Sequence, residues 1–262
     1  MKLFERMRPR AGLRVLVTAG AAGIGAVIAE AFLEAGARVL VCDLDAEALG
    51  QFAARHPEAA TTLADVADPA AVERLFAEVA ARLGGLDVLV NNAGISGPTG
   101  PIDQLPVEEI RRTLDVDLLG QFLVVRLAAP LLRAGGEGAI VNLSSVAGRL
   151  GYGLRTPYAA AKWGVIGLTA SLAKELGPEG IRVNAILPGV VRGARIERVI
   201  RDRAAAAGLS YEEMEAQYLK LVSLRRMVEP EDVAAMALFL CSPAGASISG
   251  QALSVCGNVE TL

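Results

Sequence analysis

Aromatic side chains are scarce in this chain, with one Trp, four Tyr and six Phe among 262 residues. Histidine occurs once, at His56, in a polar stretch just before Pro57, so catalysis by histidine is not expected. The three cysteines, Cys42, Cys241 and Cys256, lie far apart in apolar segments. That excludes a disulfide scaffold and leaves no CxxC or Cys/His spacing for a metal, so they read as small buried hydrophobes. Lysine is confined to Lys2, Lys162, Lys174 and Lys220. The formal net charge is −3, and no basic block marks a nucleic-acid face. No apolar run reaches the length of a transmembrane helix. The basic stretch 1–14 followed by the uncharged stretch 15–29 has the outline of a signal peptide. Gly20, Gly23 and Gly25 interrupt that run, however, and a nucleotide-binding turn uses the same residues better. The expectation is a soluble cytoplasmic protein with no membrane, nucleic-acid or metal partner.

What is plentiful is aliphatic: 53% of the residues are hydrophobic, and there are 28 Gly. Such a composition argues against disorder. Short β-branched runs alternate with longer helical stretches. Strands are expected over 13–18, 38–43, 60–64, 86–91, 139–144, 181–187 and 252–255. Helices are expected over 23–35, 45–55, 69–83, 107–134, 157–176 and 230–240, with a charged helical stretch over 192–224 that breaks near Gly208. The residues 94–106, rich in Gly and Pro, form a loop. Repeated strand–helix alternation implies an α/β fold, a doubly wound parallel sheet with helices on both faces. No linker divides the chain, so one domain is expected over 1–262, with a substrate-binding lid over about 190–225. Ligands of such sheets bind beyond the carboxyl ends of the strands.

The residues that follow the strands carry chemistry. After the first strand come Thr18, Ala19, Gly20, Ala21, Ala22, Gly23, Ile24 and Gly25. Glycines there allow a tight turn and bring a helix N-terminus up to a pyrophosphate. Asp43 ends the second strand, where a carboxylate binds ribose hydroxyls and repels a 2′-phosphate, favouring NAD over NADP. Asp65 follows the third strand and suits either the adenine amino group or a helix cap, a role for which Asp68 is better placed. Asn91, Asn92, Ala93 and Gly94 close the fourth strand. Tyr158 and Lys162 lie four residues apart on one helical face. An ammonium beside a phenol favours the phenolate, which can exchange a proton with an alcohol or carbonyl. Ser145, just past the fifth strand, can hold the substrate oxygen.

Together these pieces resemble the short-chain dehydrogenase/reductase family. TAGAAGIG at 18–25, Asp43, Asp65, NNAG at 91–94, Ser145, YAAAK at 158–162 and Pro188-Gly189 run in family order over nearly the whole chain. The resemblance implies a Rossmann-type fold, usually assembled as a tetramer or dimer, with the tetramer favoured here. It also implies reversible hydride transfer between a nicotinamide and an alcohol or ketone. Tyr158 would be the general acid/base and Ser145 would orient the substrate. Lys162 would bind the nicotinamide ribose and favour the Tyr158 phenolate. The cofactor set would comprise Gly20, Ala22, Gly23, Ile24, Gly25, Asp43, Asp65, Val66, Asn91, Ala93, Gly94, Tyr158, Lys162, Pro188, Gly189 and Val191.

Three positions depart from the family. Ala19 replaces a glycine, and its methyl is tolerated if φ is negative. Asp117 stands where an active-site Asn is usual, keeping the main-chain carbonyl but adding a charge, and it remains a catalytic candidate. Gly193 takes the place of a Thr, leaving Val191 and backbone groups to hold the nicotinamide. Arg149, Tyr152, Arg155, Arg192 and Arg195 fall in the pocket-forming segments. Arg155, three residues before Tyr158, is expected at the pocket mouth, and Arg155 or Arg192 would hold an anionic substrate group. Two alternatives stand beside an NAD-dependent alcohol dehydrogenase. One is a 3-oxoacyl-carrier reductase using NADPH, against which Asp43 speaks. The other is a nucleotide-sensing protein on the same fold.

Overall fold

Alternation along each strand sends residues to opposite faces of the sheet. In β1 (Arg14–Thr18), Val15 and Val17 enter one buried cluster and Leu16 enters another. In β4 (Val88–Asn91), Val88 and Val90 share a cluster with Val15, while Leu89 joins Leu16. A strand apolar on both faces must be covered on both, as in parallel sheets. Each such side chain contributes about 1.5–3 kcal/mol by leaving water.

The computed structural model describes residues 2–259; Met1 and 260–262, at the ends of the expected domain, lie outside the described residues. The remaining strands are β2 (Arg38–Asp43), β3 (Ala60–Leu63), β5 (Gly138–Leu143), β6 (Ile181–Pro188) and β7 (Ala252–Val255). They form one parallel sheet in the order β3-β2-β1-β4-β5-β6-β7. The order reverses between β1 and β4, so the crevice opens beyond Thr18 and Asn91. All seven strands lie within two residues of where hydrophobic patterning puts them. The uncharged stretch 15–29 that resembles part of a signal peptide falls on the interior strand β1 and the start of the helix after it.

The helices are α1 (Leu3–Arg6), α2 (Gly23–Glu34), α3 (Ala46–Arg55), α4 (Pro69–Leu83), α5 (Val107–Leu114), α6 (Gly120–Ala134), α7 (Thr156–Leu176), α8 (Ala194–Ala207), α9 (Tyr211–Lys220) and α10 (Pro230–Cys241). Helices α2, α3 and α10 cover one face of the sheet, and α4, α6 and α7 cover the other. The short α1 gives no periodic signal and was not expected. The single helix expected over 107–134 is interrupted by a π-turn at Asp115–Leu119. An inserted residue of this kind redirects side chains and often marks a functional site. Here it carries Asp117.

The break near Gly208 separates α8 from α9, with Gly208 left-handed at φ +68°. These two helices form a small core of their own around Ile200, Met214, Tyr218 and Met227. The tail anchors this unit: the Ser223 and Leu224 N–H groups donate to the Asn258 and Gly257 carbonyls. Cys42, Cys241 and Cys256 are buried and free. Among the described residues, no helix is long and apolar enough to cross a membrane.

Candidate active site

The crevice is floored by the turn after β1. Gly25 sits where the chain passes closest to itself, since a Cβ there would lie 2.2 Å from the Ala19 carbonyl oxygen and 2.5 Å from Asn92 Nδ2. Asn92 Nδ2 donates to the Thr18 carbonyl at 3.0 Å and to that of Ala19 at 2.9 Å. The Thr18 hydroxyl accepts from the Asn92 and Ala93 N–H groups, both at 3.0 Å. Thr18 and Asn92 thus fasten the turns after β1 and β4 together, a role that motif spacing alone does not reveal. Ala19 does not have the negative φ on which its tolerance was expected to rest. It takes φ +48°, a left-handed conformation that costs a non-glycine residue roughly 1–3 kcal/mol. The Asn92 amide holds it there.

Helix α2 begins at Gly23 with Ala22 as its N-cap. No side chain caps it, and its first turn holds no acid. A Cβ on Gly23 would meet nothing within 4 Å. An open, uncapped helix N-terminus behind a glycine turn fits a pyrophosphate. Asp43 accepts from the Ala21 N–H at 3.2 Å and the Leu44 N–H at 2.8 Å, fixing its carboxylate beside that turn. The residues present therefore fit a dinucleotide.

Other expected contacts fall differently. Both Asp65 oxygens have protein partners: Oδ1 accepts from the Ala67 N–H at 2.9 Å, and Oδ2 pairs with Arg112 at 3.0 Å. Asp68 is the residue that caps α4. Val66 is buried. The Asn91 amide points into the protein and donates to Asn142 Oδ1 at 3.3 Å. Gly94 must be small, because a Cβ there would lie 3.0 Å from Lys162 Nζ. On Gly189 it would lie 2.8 Å from the Cys256 backbone. Pro188, Gly189 and Val191 continue from β6, with Val191 bridging to Val228.

At the other end, α7 carries Tyr158 and Lys162. Lys162 is buried, and its ammonium donates to the Leu143 carbonyl at 3.2 Å. It lies 3.5 Å from Asp117 Oδ2 and 5.6 Å from the centre of the Tyr158 ring. Asp117 is fully buried, and its Oδ1 accepts from the Ile95 N–H at 2.6 Å. Asp117 is thus the side-chain counter-ion of Lys162, beyond any use of its main-chain carbonyl. Ser145 caps the short turn Val146–Gly148, its hydroxyl accepting from the Ala147 N–H at 3.2 Å. That leaves the hydroxyl hydrogen available to a substrate oxygen.

The expected anion holders do not stand at the mouth. Arg155 is buried and donates to the Ser96 carbonyl. Its guanidinium lies 5.3 Å from the Tyr158 ring centre and 5.4 Å from that of Tyr152. The bond to Ser96 holds it inward against the phenol. Arg192 is exposed and pairs with Glu229 at 3.0 Å. Arg195 reaches from the start of α8 to donate to the Gly94 carbonyl at 2.5 Å.

Residues 19–258 match the family model described as enoyl-(acyl carrier protein) reductase. The chain is 38% identical over 248 residues to a sorbitol dehydrogenase of Cereibacter sphaeroides, covering 94% of this chain and 96% of that one. The chain belongs to the short-chain dehydrogenase/reductase family. It is a dehydrogenase or reductase acting on alcohols and ketones. Among solved structures of the family, the actinorhodin polyketide ketoreductase with NADPH superposes with a TM-score of 0.92 at 34% identity, over 96% of this chain and 98% of that one. NAD+-bound xylitol dehydrogenase superposes at 0.90 with 28% identity, over 95% and 99%.

Proposed function

We propose that the chain is an NAD-dependent dehydrogenase of secondary alcohols, including polyols and hydroxy acids, running reversibly to the ketone. The observation that carries this reading is the pairing on α7: a half-buried Tyr158 with the Lys162 ammonium 5.6 Å from its ring centre. Tyr158 takes the proton from the alcohol oxygen, or returns it to the ketone. The Arg155 guanidinium and the Lys162 ammonium both lie over its ring, 5.3 and 5.6 Å from the ring centre. Ser145 donates to the same substrate oxygen. Asp117 holds Lys162 in place and balances its charge. The nicotinamide, when bound, supplies or accepts the hydride.

Gly20, Ala22, Gly23, Ile24 and Gly25 would form the pyrophosphate cradle, and Asp43 would take the ribose hydroxyls. Its negative charge would repel a 2′-phosphate, which favours NAD. Ala93, Gly94, Pro188, Gly189 and Val191 would offer backbone to the cofactor, whereas Asn91 and Asp65 would support it indirectly. The unit over about 190–225 would close over the substrate as a lid. Leu119, Phe122 and Trp163 expose apolar surface on neighbouring segments, 45%, 48% and 52% accessible, and suit an isologous interface in a homotetramer. Free buried cysteines suit a reducing compartment such as the cytoplasm.

The test is a spectrophotometric screen of NAD+ and NADP+ against secondary alcohols, polyols and hydroxy acids. Turnover with NAD+ well above NADP+ is the expected result. Preference for NADPH with 3-oxoacyl substrates would favour the carrier-reductase alternative. Cofactor binding without turnover on any substrate would favour a sensor.

A further inference from the structure

A cavity of about 360 Å³ lies between the lid and the loop that leads into α7. It adjoins the catalytic residues without containing them: Leu154 comes just before Arg155, and Val190 follows Gly189. Its size is that of a small-molecule site. Leu154, Val190, Met214 and Leu221 make its walls mostly apolar, and among the described residues Arg203 is the only charged group lining it.

Arg203 projects from α8 between two rings. Its guanidinium carbon lies 5.7 Å from the centre of Tyr152 and 5.5 Å from that of Tyr218. Nη1 donates to the Tyr218 hydroxyl at 3.1 Å, and the two phenol oxygens are 3.2 Å apart. Burial, with Tyr152 beside it, pushes the Tyr218 phenol up to about 12, so it stays neutral and is no counter-ion. Among the described residues, no carboxylate lies within ion-pair distance of Arg203. The other arginines near the site are already engaged: Arg149 with the Ala252 carbonyl, Arg155 with that of Ser96, Arg192 with Glu229 and Arg195 with the Gly94 carbonyl.

A guanidinium held by rings, without an acid, in an apolar cavity is poised for an anion brought by a ligand. We propose that Arg203 binds the carboxylate of a substrate whose hydrocarbon body fills this cavity. The proposal rests on the oxidoreductase reading of the adjoining site. Tyr152 and Arg155 stand between Arg203 and Tyr158 as two stacked layers. The carboxylate and the reacting carbinol are therefore several bonds apart. The preferred substrate is an aliphatic hydroxy acid with a remote hydroxyl, rather than a small polyol, which would find few hydrogen-bond partners among these walls.

Calorimetric titration of octanoate and octanamide, with and without NAD+, tests the site independently of turnover. The wild-type chain is expected to bind octanoate at least tenfold more tightly than octanamide. Arg203→Gln should erase that difference, and Arg203→Lys should keep part of it. No binding of octanoate, equal affinity for the two probes, or a preference that survives in Arg203→Gln would overturn the proposal. Turnover of 7-hydroxyoctanoate against its methyl ester separates the two readings. Octanoate binding without oxidation of either compound keeps the anion site and removes the hydroxy-acid substrate. Oxidation of both at equal KM keeps the enzyme and removes the anion site.

Discussion

The two ends of the crevice are built from different materials. At the proposed cofactor end the contacts are mainly to backbone: Thr18 and Asn92 join two turns, Gly25 leaves no space for a Cβ, and the α2 N-terminus has no side-chain cap. At the substrate end the contacts are between side chains, a stack of arginines and tyrosines running from Tyr158 through Arg155 and Tyr152 to Arg203. Backbone geometry admits one cofactor shape and tolerates little change. Side-chain stacks can be re-spaced one residue at a time, which suits a fold that serves many substrates on a shared frame. Substitutions should therefore be costly at the first end and graded at the second.

The largest effect is expected where the two ends meet. Asp117→Ala leaves the Lys162 ammonium buried without its counter-ion and should cost about 3–5 kcal/mol of stability in urea unfolding. Asp117→Asn, which keeps an acceptor for Ile95, should cost clearly less. Equal losses would mean that the charge, absent from both variants, carries the whole effect and the acceptor for Ile95 none of it. Next comes Gly25→Ala, which forces a methyl against the Ala19 carbonyl. Strain of about 1–3 kcal/mol should weaken NAD+ binding by roughly 10- to 100-fold, measured by fluorescence titration. An unchanged affinity would show the turn to be softer than its contacts imply. Asp43→Ala should lower the preference for NAD+ over NADP+ by roughly tenfold, the scale of one charged contact; a preference left intact would move the discriminating group elsewhere.

At the substrate end the changes are smaller. Arg195→Ala removes one hydrogen bond to Gly94 and should raise the KM for cofactor about two- to tenfold. Arg192→Ala breaks only an exposed pair with Glu229 and should alter stability by less than about 1 kcal/mol. A large effect of Arg192 on an acidic substrate would restore it as an anion holder.

Most of the frame was legible before the structure. Val, Leu and Ile in short runs reveal buried strands whatever surrounds them, and the residues at strand ends follow. Tyr158 and Lys162 were readable because four residues on a helix imply one face. What stayed hidden depends on direction rather than order. Arg155 lies close to Tyr158 in sequence, but whether it turns outward or inward depends on Ser96, 59 residues away. The π-turn that aims Asp117 at Lys162 leaves no mark in hydrophobic period. Arg203 sits in a charged helical stretch, and only the packing of Tyr152 across it makes it a cavity residue.

The central claim is that Tyr158 moves the proton in an NAD+-linked oxidation. It is tested most directly by measuring NADH formation by wild type and Tyr158→Phe on an alcohol found in the screen, with NAD+ affinity measured alongside. The variant should lose roughly 10²- to 10⁴-fold in kcat, the usual share of a general acid/base, while binding NAD+ as before. Turnover that persists in Tyr158→Phe near the wild-type rate would contradict the account.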